Sequence, residues 1–537
     1  MSMEKENGEV IFRGRRVDSK LYKDSLWTYL KQQMEMHGSR VALINPETQE
    51  ELTYTEVLTR VEKLARGLVK LGLRPNTSLC FFAPNSVELV LTIVATWSLG
   101  ASVQPTNPAS MPGELRRHLE ISEANIIVTV PALVPTVREA VAGLDKLIVV
   151  IGPRDGSLNF ADVLAMGTDD VILPPPPADP TQTVASLLFS SGTTGLPKAV
   201  EMTQTNILAW VAVYPLIERP MLGTDDTLIL HLPLFHAYGQ VVTMAAGLAY
   251  GCRMVVLTKF HLDTFLKLIT KYKATALLTV PPIIIGIVNQ TRLSDYDLSS
   301  VRFITSAAAP LGPEIMEQFI KKTGIPVYQG WGMTENMVTT FSSPSHVRRG
   351  SSGRPIPNVD CKVVDPETGR TLGVGEVGEV CMRGPVLMRG YHKNPEATRQ
   401  TIDRNGWMHT GDVGRFDADG FVYISDRLKE LIKYKGEQVP PAMLEDVLLA
   451  HPGVLDACVI GLPDTLAGEL PRAYVVRAPG SQITEQEVKD FVAKRVPSYM
   501  QLRGGVEFRQ QIPKSASGKI LRRLLRDELK QRSKAKL

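Results

Sequence analysis

Hydrophobic positions return at intervals of three and four along the first hundred residues. Val57, Val61, Leu64, Leu68 and Val69 fall on one side of a helix. Thr53 and Glu56 stand before them at capping-box spacing, and Gly72 closes the run. Asn85 and Glu88 repeat that spacing ahead of a second helix reaching about Leu99. Between the helical stretches lie short apolar runs of strand length, such as residues 125–130. Strands alternating with helices predict βαβ units and a parallel sheet. The alternation resumes over residues 181–345, with strands expected at 184–189, 228–232, 254–257, 276–280, 303–305 and 327–329. Each runs into a polar, proline- or glycine-rich loop. Ligands of open parallel sheets bind beyond the carboxyl ends of the strands. The loops after Phe189, Leu232, Thr305 and Gln329 are therefore expected to share one crevice.

The pattern changes after residue 346. Glycines become frequent, and short β-like runs such as 361–364 and 379–382 predict a small β-rich subdomain. Residues 426–436 are polar and heavily charged, and a smaller unit follows. Pro441 opens a helix carrying Leu444, Val447 and Leu448, and Thr484 and Glu487 cap another. The proline-rich stretch 173–180 reads as a stiff linker. The expected fold is thus α/β: a large N-terminal domain over 1–425, built of two α/β subdomains plus a small β-rich one, a hinge at 426–430, and a small α+β C-terminal domain over 431–537.

A chain of 537 residues is too long for one core, which agrees with this division. Its net charge of +4 is uneven. From Lys519 onward there are eight basic and two acidic residues, so the remainder carries a balance of −2 and no nucleic-acid footprint. Five scattered cysteines without a C-x-x-C pair imply a reducing compartment and no zinc site. No secretory signal is read at the N-terminus, and the longest apolar stretches, 89–99 and 274–288, are too short for a transmembrane segment.

Candidate chemistry begins at residues 190–198, Ser190-Ser191-Gly192-Thr193-Thr194-Gly195-Leu196-Pro197-Lys198. Glycines let backbone N–H groups approach a phosphate, hydroxyls add donors, and Lys198 supplies a mobile charge. The spacing G-x-x-G-x-x-K is not that of a Walker A loop. Without further support the stretch would read as a polar surface loop. The ordered string resembles the signature loop of the adenylate-forming (ANL) superfamily, which holds acyl-CoA synthetases, nonribosomal-peptide adenylation domains and luciferases. Further segments resemble the family's other motifs in family order: residues 233–239 with His236 and Tyr238; Ser306-Ala307-Ala308; Gln329-Gly330-Trp331-Gly332-Met333-Thr334-Glu335; Trp407 to Asp412; Asp426 to Lys429; and Pro513 to Lys519. The branch most similar contains 4-coumarate–CoA ligase-like enzymes, animal acyl-CoA synthetases and beetle-type luciferases.

The resemblance implies an ATP- and CoA-dependent carboxylate ligase acting on a fatty or aryl-propenoic acid through an acyl-adenylate. It implies that Ser190 to Gly195 with Lys198 hold phosphates, and that Ala308 and residues 329–334 form the adenine side. Trp331 would stack on adenine, Thr334 would donate to the α-phosphate, and Glu335 would bind Mg²⁺. Asp412 would accept from the ribose hydroxyls, with Arg427 reaching the same ribose or a phosphate. His236, Tyr238, Ser306, Ala307, Gly332 and Met333 would line the acyl pocket. Lys519 would serve adenylation, and Lys433, Lys435 and Gly436 the CoA step after the small domain rotates about Lys429. Taken singly, Glu335 is an ordinary loop carboxylate, Asp412 a turn residue, His236 a core histidine and Lys519 a surface lysine.

Four departures from the family pattern stand out: Gln204 in place of a common histidine, Trp331 for tyrosine, alanines at 307 and 308 for glycines, and Glu437 for phenylalanine. They leave the acid open. A luciferase-type oxidation of the adenylate is the rival reading. A carrier-protein adenylation domain and a noncatalytic relative fit less well, since no carrier domain is fused and Lys198, Glu335, Asp412 and Lys519 are all present. The final Ala535-Lys536-Leu537 resembles the Ser-Lys-Leu address, which implies a peroxisomal import receptor as partner and a peroxisomal location, or the cytoplasm in a prokaryote.

Overall fold

The computed structural model describes residues 2–6, 8–153, 156–190, 197–217, 221–515 and 518–534. Residues 191–196, which hold the expected phosphate-binding Ser191, Gly192, Thr193, Thr194 and Gly195, lie outside these, as does the tripeptide 535–537.

The helical stripe around residue 60 forms the helix Tyr54–Lys70. Thr53 and Glu56 make the expected reciprocal cap, and Val57, Val61, Leu64 and Leu68 are fully buried. Each such aliphatic side chain contributes about 1.5–3 kcal/mol of burial. The second helix, Val87–Ser98, is buried on every face. Its cap differs from expectation: Ser86 accepts from the Leu89 N–H, and Asn85 is used elsewhere.

Four sheets organise the molecule. One has eight strands, in the order Gly390–Tyr391, Lys198–Thr203, Val184–Ser190, Ser102–Pro105, Ser78–Phe82, Ile126–Thr129, Leu147–Val150, Leu158–Asn159. A nine-stranded sheet runs Arg354–Pro355, Thr340–Phe341, Val327–Trp331, Phe303–Ser306, Ala276–Thr279, Thr227–Leu230, Arg253–Val256, Val41–Ile44, Glu51–Thr53. The two α/β units are therefore interleaved rather than successive in the chain. Strands 41–53 join the later unit, and strands 184–203 join the earlier one. The proline-rich stretch 173–180 thus precedes strands of the same sheet and divides no domains.

The third sheet is antiparallel and six-stranded, and contains Asp360–Val364, Gly378–Arg383, Met408–Phe416 and Val422–Arg427. An N-terminal hairpin, Ser2–Glu6 with Glu9–Arg13, completes it, and Phe12 stacks on Phe416 with ring centroids 4.3 Å apart. A separate five-stranded sheet, beginning at Ile432–Tyr434, carries its own buried cluster around Leu444, Val459, Val475 and Val492. The chain passes to it through the turn at 428–431. Among the described residues no helix is long and apolar enough to cross a membrane.

Candidate functional site

The strands Val184–Ser190 and Lys198–Thr203 pair antiparallel, with Ser190 opposite Lys198. Both strands belong to the eight-stranded sheet, whereas Thr227–Leu230, Phe303–Ser306 and Val327–Trp331 belong to the nine-stranded one. The crevice is consequently lined by two sheets, not one. Gln240 joins them: its Oε1 accepts from Ser186 of the first sheet at 2.7 Å, and its Nε2 donates to the Leu234 carbonyl at 3.1 Å.

The strand Val327–Trp331 ends in a tight turn. A Cβ on Gly332 would sit 1.7 Å from the Met337 carbonyl oxygen, so only glycine fits there. Asn336 accepts from the Met333 N–H at 2.8 Å and fixes the turn that presents Met333, Thr334 and Glu335. Gln329 and Trp331 are buried beneath it. The Trp331 indole N–H donates to Asp412 Oδ2 at 2.8 Å. Trp331 therefore holds the carboxylate expected to meet the ribose, a contact the sequence did not reveal.

Asp412 lies in the strand Met408–Phe416, and its approach is built by hydrogen bonds. Glu379 accepts from the Gly411 N–H at 2.9 Å and pairs with His409 Nδ1 at 2.7 Å, which raises the histidine's pKa. Thr410 donates to the Val380 carbonyl and accepts from the Asp412 N–H. Cys381 Sγ lies 3.6 Å from the same histidine nitrogen, so Glu379, Cys381 and His409 are engaged with one another and with the backbone. Arg427 Nε stands 3.2 Å from Asp412 Oδ1. Burial raises the Asp412 pKa against the pull of Arg427 and the Trp331 hydrogen bond. Oδ1 is buried without a hydrogen bond among the described residues, which suits a ribose hydroxyl.

Two residues that sequence reasoning missed complete this side. Tyr391 donates from its phenol to Glu335 Oε1 at 3.0 Å, and Lys198 Nζ lies 4.7 Å from the centre of its ring. Burial, then the Glu335 charge, raises the phenol's pKa, so it stays protonated and donating. Asn85 donates to the Leu232 carbonyl at 2.9 Å and accepts from the Leu234 N–H at 2.9 Å, anchoring the loop that carries His236. Its only sequence signal was a polar residue mistaken for a helix cap.

His236 is partly buried, and desolvation lowers its pKa to about 4, so the ring is neutral at pH 7. Tyr238 pairs with Thr305 at 3.0 Å, and a π-helical stretch, Tyr238–Ala245, starts at that residue. The Ser306 hydroxyl is buried without a partner among the described residues. Ala307 is partly buried, and Ala308 is exposed at φ 73°, the left-handed region that favours glycine. Gln204 is a structural tie, accepting from the Leu26 N–H and donating to the Trp97 carbonyl.

From the small domain, Lys519 points into this cleft. Its ammonium feels Arg427, Asp412, Glu335 and Glu430; burial, then Arg427, brings its pKa down to about 8. The preceding Gly518 has φ 80°, and a Cβ there would meet Pro282 of the large domain at 2.8 Å. Lys433, Lys435 and Gly436 do not join the site. They are exposed, and Lys435 and Gly436 form the turn of a hairpin, both with positive φ. Lys429 is likewise exposed. Lys198, Glu335, Asp412, Arg427, Trp331 and Lys519 thus gather around one cleft.

The chain matches the family described as AMP-binding enzyme over residues 30–392, and the AMP-binding enzyme C-terminal domain over 443–519. It is 40% identical over 531 residues to 4-coumarate–CoA ligase 3 of Oryza sativa subsp. japonica, covering 97% of this chain and 95% of that protein. It is also 40% identical over 540 residues to 4-coumarate–CoA ligase 2 of Nicotiana tabacum, covering 98% and 99%. Among solved structures it resembles the anthranilate CoA ligase AuaEII in complex with anthranoyl-AMP, with TM-score 0.88 and 26% identity, covering 96% of this chain and all of that one. ATP-bound MatB from Rhodopseudomonas palustris is similar at TM-score 0.85 and 28% identity, covering 94% and 98%.

Proposed function

The chain belongs to the AMP-binding enzyme family of adenylate-forming enzymes, and from that membership and the geometry of its cleft we propose that it joins an aryl-propenoic acid to coenzyme A at the expense of ATP. The observation that carries the reading is the convergence of Lys519 with Asp412, Arg427 and Glu335 across the domain boundary. In the first step a substrate carboxylate oxygen attacks the α-phosphorus of ATP and pyrophosphate leaves. Two anions must meet, so the site supplies cations and fixed donors. Lys198 faces the outer phosphates, and Thr334 donates to the α-phosphate. Lys519 neutralises charge growing on that phosphate. Asp412, held by Trp331, receives the ribose. Glu335 fits Mg²⁺, being a carboxylate with one oxygen held by Tyr391 and the other left for a hard cation. Bound there, Mg²⁺ would draw charge from the phosphates. His236, neutral, orients the acyl carboxylate by hydrogen bonding.

In the second step the thiol sulfur of CoA attacks the acyl carbonyl and AMP leaves. The exposed turn at Lys433, Lys435 and Gly436 serves this step after the small domain rotates about Lys429. The arrangement with Lys519 inside the cleft is the one for adenylation. The acid class rests on the 4-coumarate–CoA ligases that align over nearly the whole chain. The test is a panel of hydroxycinnamic, benzoic and fatty acids, assayed for AMP release with and without CoA. Hydroxycinnamates should give CoA-dependent turnover. Preference for fatty acids would overturn the acid class, and oxygen uptake without CoA would overturn the ligase reading in favour of oxidation.

A further inference from the structure

We propose that Tyr391 is a positioning residue for the triphosphate and its cation, holding Glu335 by its phenol and Lys198 by its ring face. The inference rests on the proposed use of ATP at this cleft.

Three separate segments meet at this one side chain. Glu335 comes from the turn after the strand Val327–Trp331, Lys198 from the end of the signature loop, and Tyr391 from the two-residue strand Gly390–Tyr391. The phenol donates to Glu335 Oε1 at 3.0 Å, which leaves Oε2 to face a cation. The Lys198 ammonium sits 4.7 Å from the ring centre, within the range of a cation–π contact. Both partners have long side chains that lose much rotamer freedom on being ordered. Held in advance, they meet the phosphates without that cost at the moment of binding.

The holder is itself immobilised. Tyr391 pairs with Val200, and Gly390 with Glu201. Buried Glu201 accepts from Arg389 at 2.7 Å and pairs with His392 at 2.6 Å, so the residues on both sides of the Gly390–Tyr391 pair are pinned by one carboxylate. Asn206 donates to the carbonyls of Pro385 and Leu387, each at 2.8 Å. The Met388 N–H donates to the Glu335 carbonyl at 2.8 Å. Glu335 is therefore fixed to the 388–391 segment by backbone and side chain together. Nothing in a ring that merely packs would require its hydroxyl to end on that carboxylate.

The test uses the full chain and ATP titrated by calorimetry at a series of MgCl₂ concentrations. In Tyr391→Phe the ring and its lysine contact remain and only the phenol is lost. The magnesium concentration for half-maximal ATP binding should rise by about tenfold, the range of a hydrogen bond to a charged group. The KM for MgATP should rise more than kcat falls. Tyr391→Leu removes the ring as well and should weaken ATP binding further, including without magnesium. In a Glu335→Gln background, Tyr391→Phe should add little, because the two changes remove one unit. An unchanged magnesium response in Tyr391→Phe, a lowered melting temperature with an unchanged response, or equal losses in both backgrounds would each overturn the role. Absence of magnesium-dependent ATP binding in the wild type would overturn the proposed function itself and this role with it.

Discussion

Lys519 and Ala308 are residues whose surroundings set measurable behaviour. The Lys519 ammonium, with its pKa brought down to about 8 by burial and Arg427, is charged below that pH and loses its proton above it. On the proposed role of this charge in adenylation, the rate should fall as pH passes about 8, as read in pyrophosphate release. Lys519→Arg keeps the charge at all working pH values and should be slower yet lose that alkaline limb. A limb unchanged in the arginine variant would assign it to another group. Lys519→Ala should cripple adenylation and spare thioester formation from a supplied acyl-adenylate. Ala308 is strained for a different reason: its methyl is forced into a conformation with φ 73°. Ala308→Gly should raise stability by about 1 kcal/mol in denaturant titration, because the strain removed exceeds the added freedom of the unfolded chain. A loss of stability would mean that the methyl packs favourably.

At the scale of elements, the loop after Thr227–Leu230 depends on a helix approach that precedes it by more than a hundred residues. Asn85 grips the Leu232 carbonyl and the Leu234 N–H, and Gln240 grips the Leu234 carbonyl. Asn85→Ala leaves both loop groups buried without their partner. Each such loss costs about 1–3 kcal/mol. Urea melts should show that loss, and the KM for the acid should rise more than the KM for ATP, since the loop carries His236 and Tyr238. Equal rises would place Asn85 outside acid positioning. The helices were largely legible because a cap and a stripe are local: Thr53 and Thr484 cap as expected. Asn85 was misread because a polar residue at the head of a helix has the same spacing whether it turns inward to cap or outward to another strand.

For the whole molecule, the consequential contact is between domains. Asp446, on the helix Pro441–Leu449, lies against Gly312, where a Cβ would come within 2.8 Å of its carboxylate oxygen. Glu445 beside it, Glu314 across the boundary and Asp426 of the strand Val422–Arg427 all face it; Arg522 from the last helix binds Glu445 at 2.5 Å, and Arg349 pairs with Glu314. Burial, then Glu445, raises the Asp446 pKa to about 8, so the carboxyl is neutral at pH 7 in this arrangement. Rotated into water it would titrate near 3.8, its ordinary value. The closed arrangement is thus fully favoured below about pH 4 and loses ground as pH rises toward 8, where the effect levels off. Energy transfer between dyes on the two domains should show opening as pH rises through this window. Asp446→Asn, which stays neutral, should abolish the dependence, and persistence of the full effect would exclude this carboxyl. The other face of the small domain has its own test: Lys433→Ala should keep adenylate formation and slow the CoA step.

By itself, the sequence determined the elements, the glycine-bearing loops and the order of the chemical motifs, since caps, stripes and loop residues act over a few positions. The motif residues Lys198, Glu335, Asp412, Arg427 and Lys519 were legible because each sits beside local signals that mark it. Pairing partners were not legible. Apolar strands such as 41–44 and 184–190 carry no mark of the sheet they join, so two interleaved units read as two successive ones. Nor could spacing show that Trp331 holds Asp412, that Asn85 holds the histidine loop, or that Tyr391 joins Glu335 to Lys198. Those contacts span 56 to 193 residues of chain and exist only once the sheets have packed, because a hydrogen bond depends on distance in space and not on distance along the backbone.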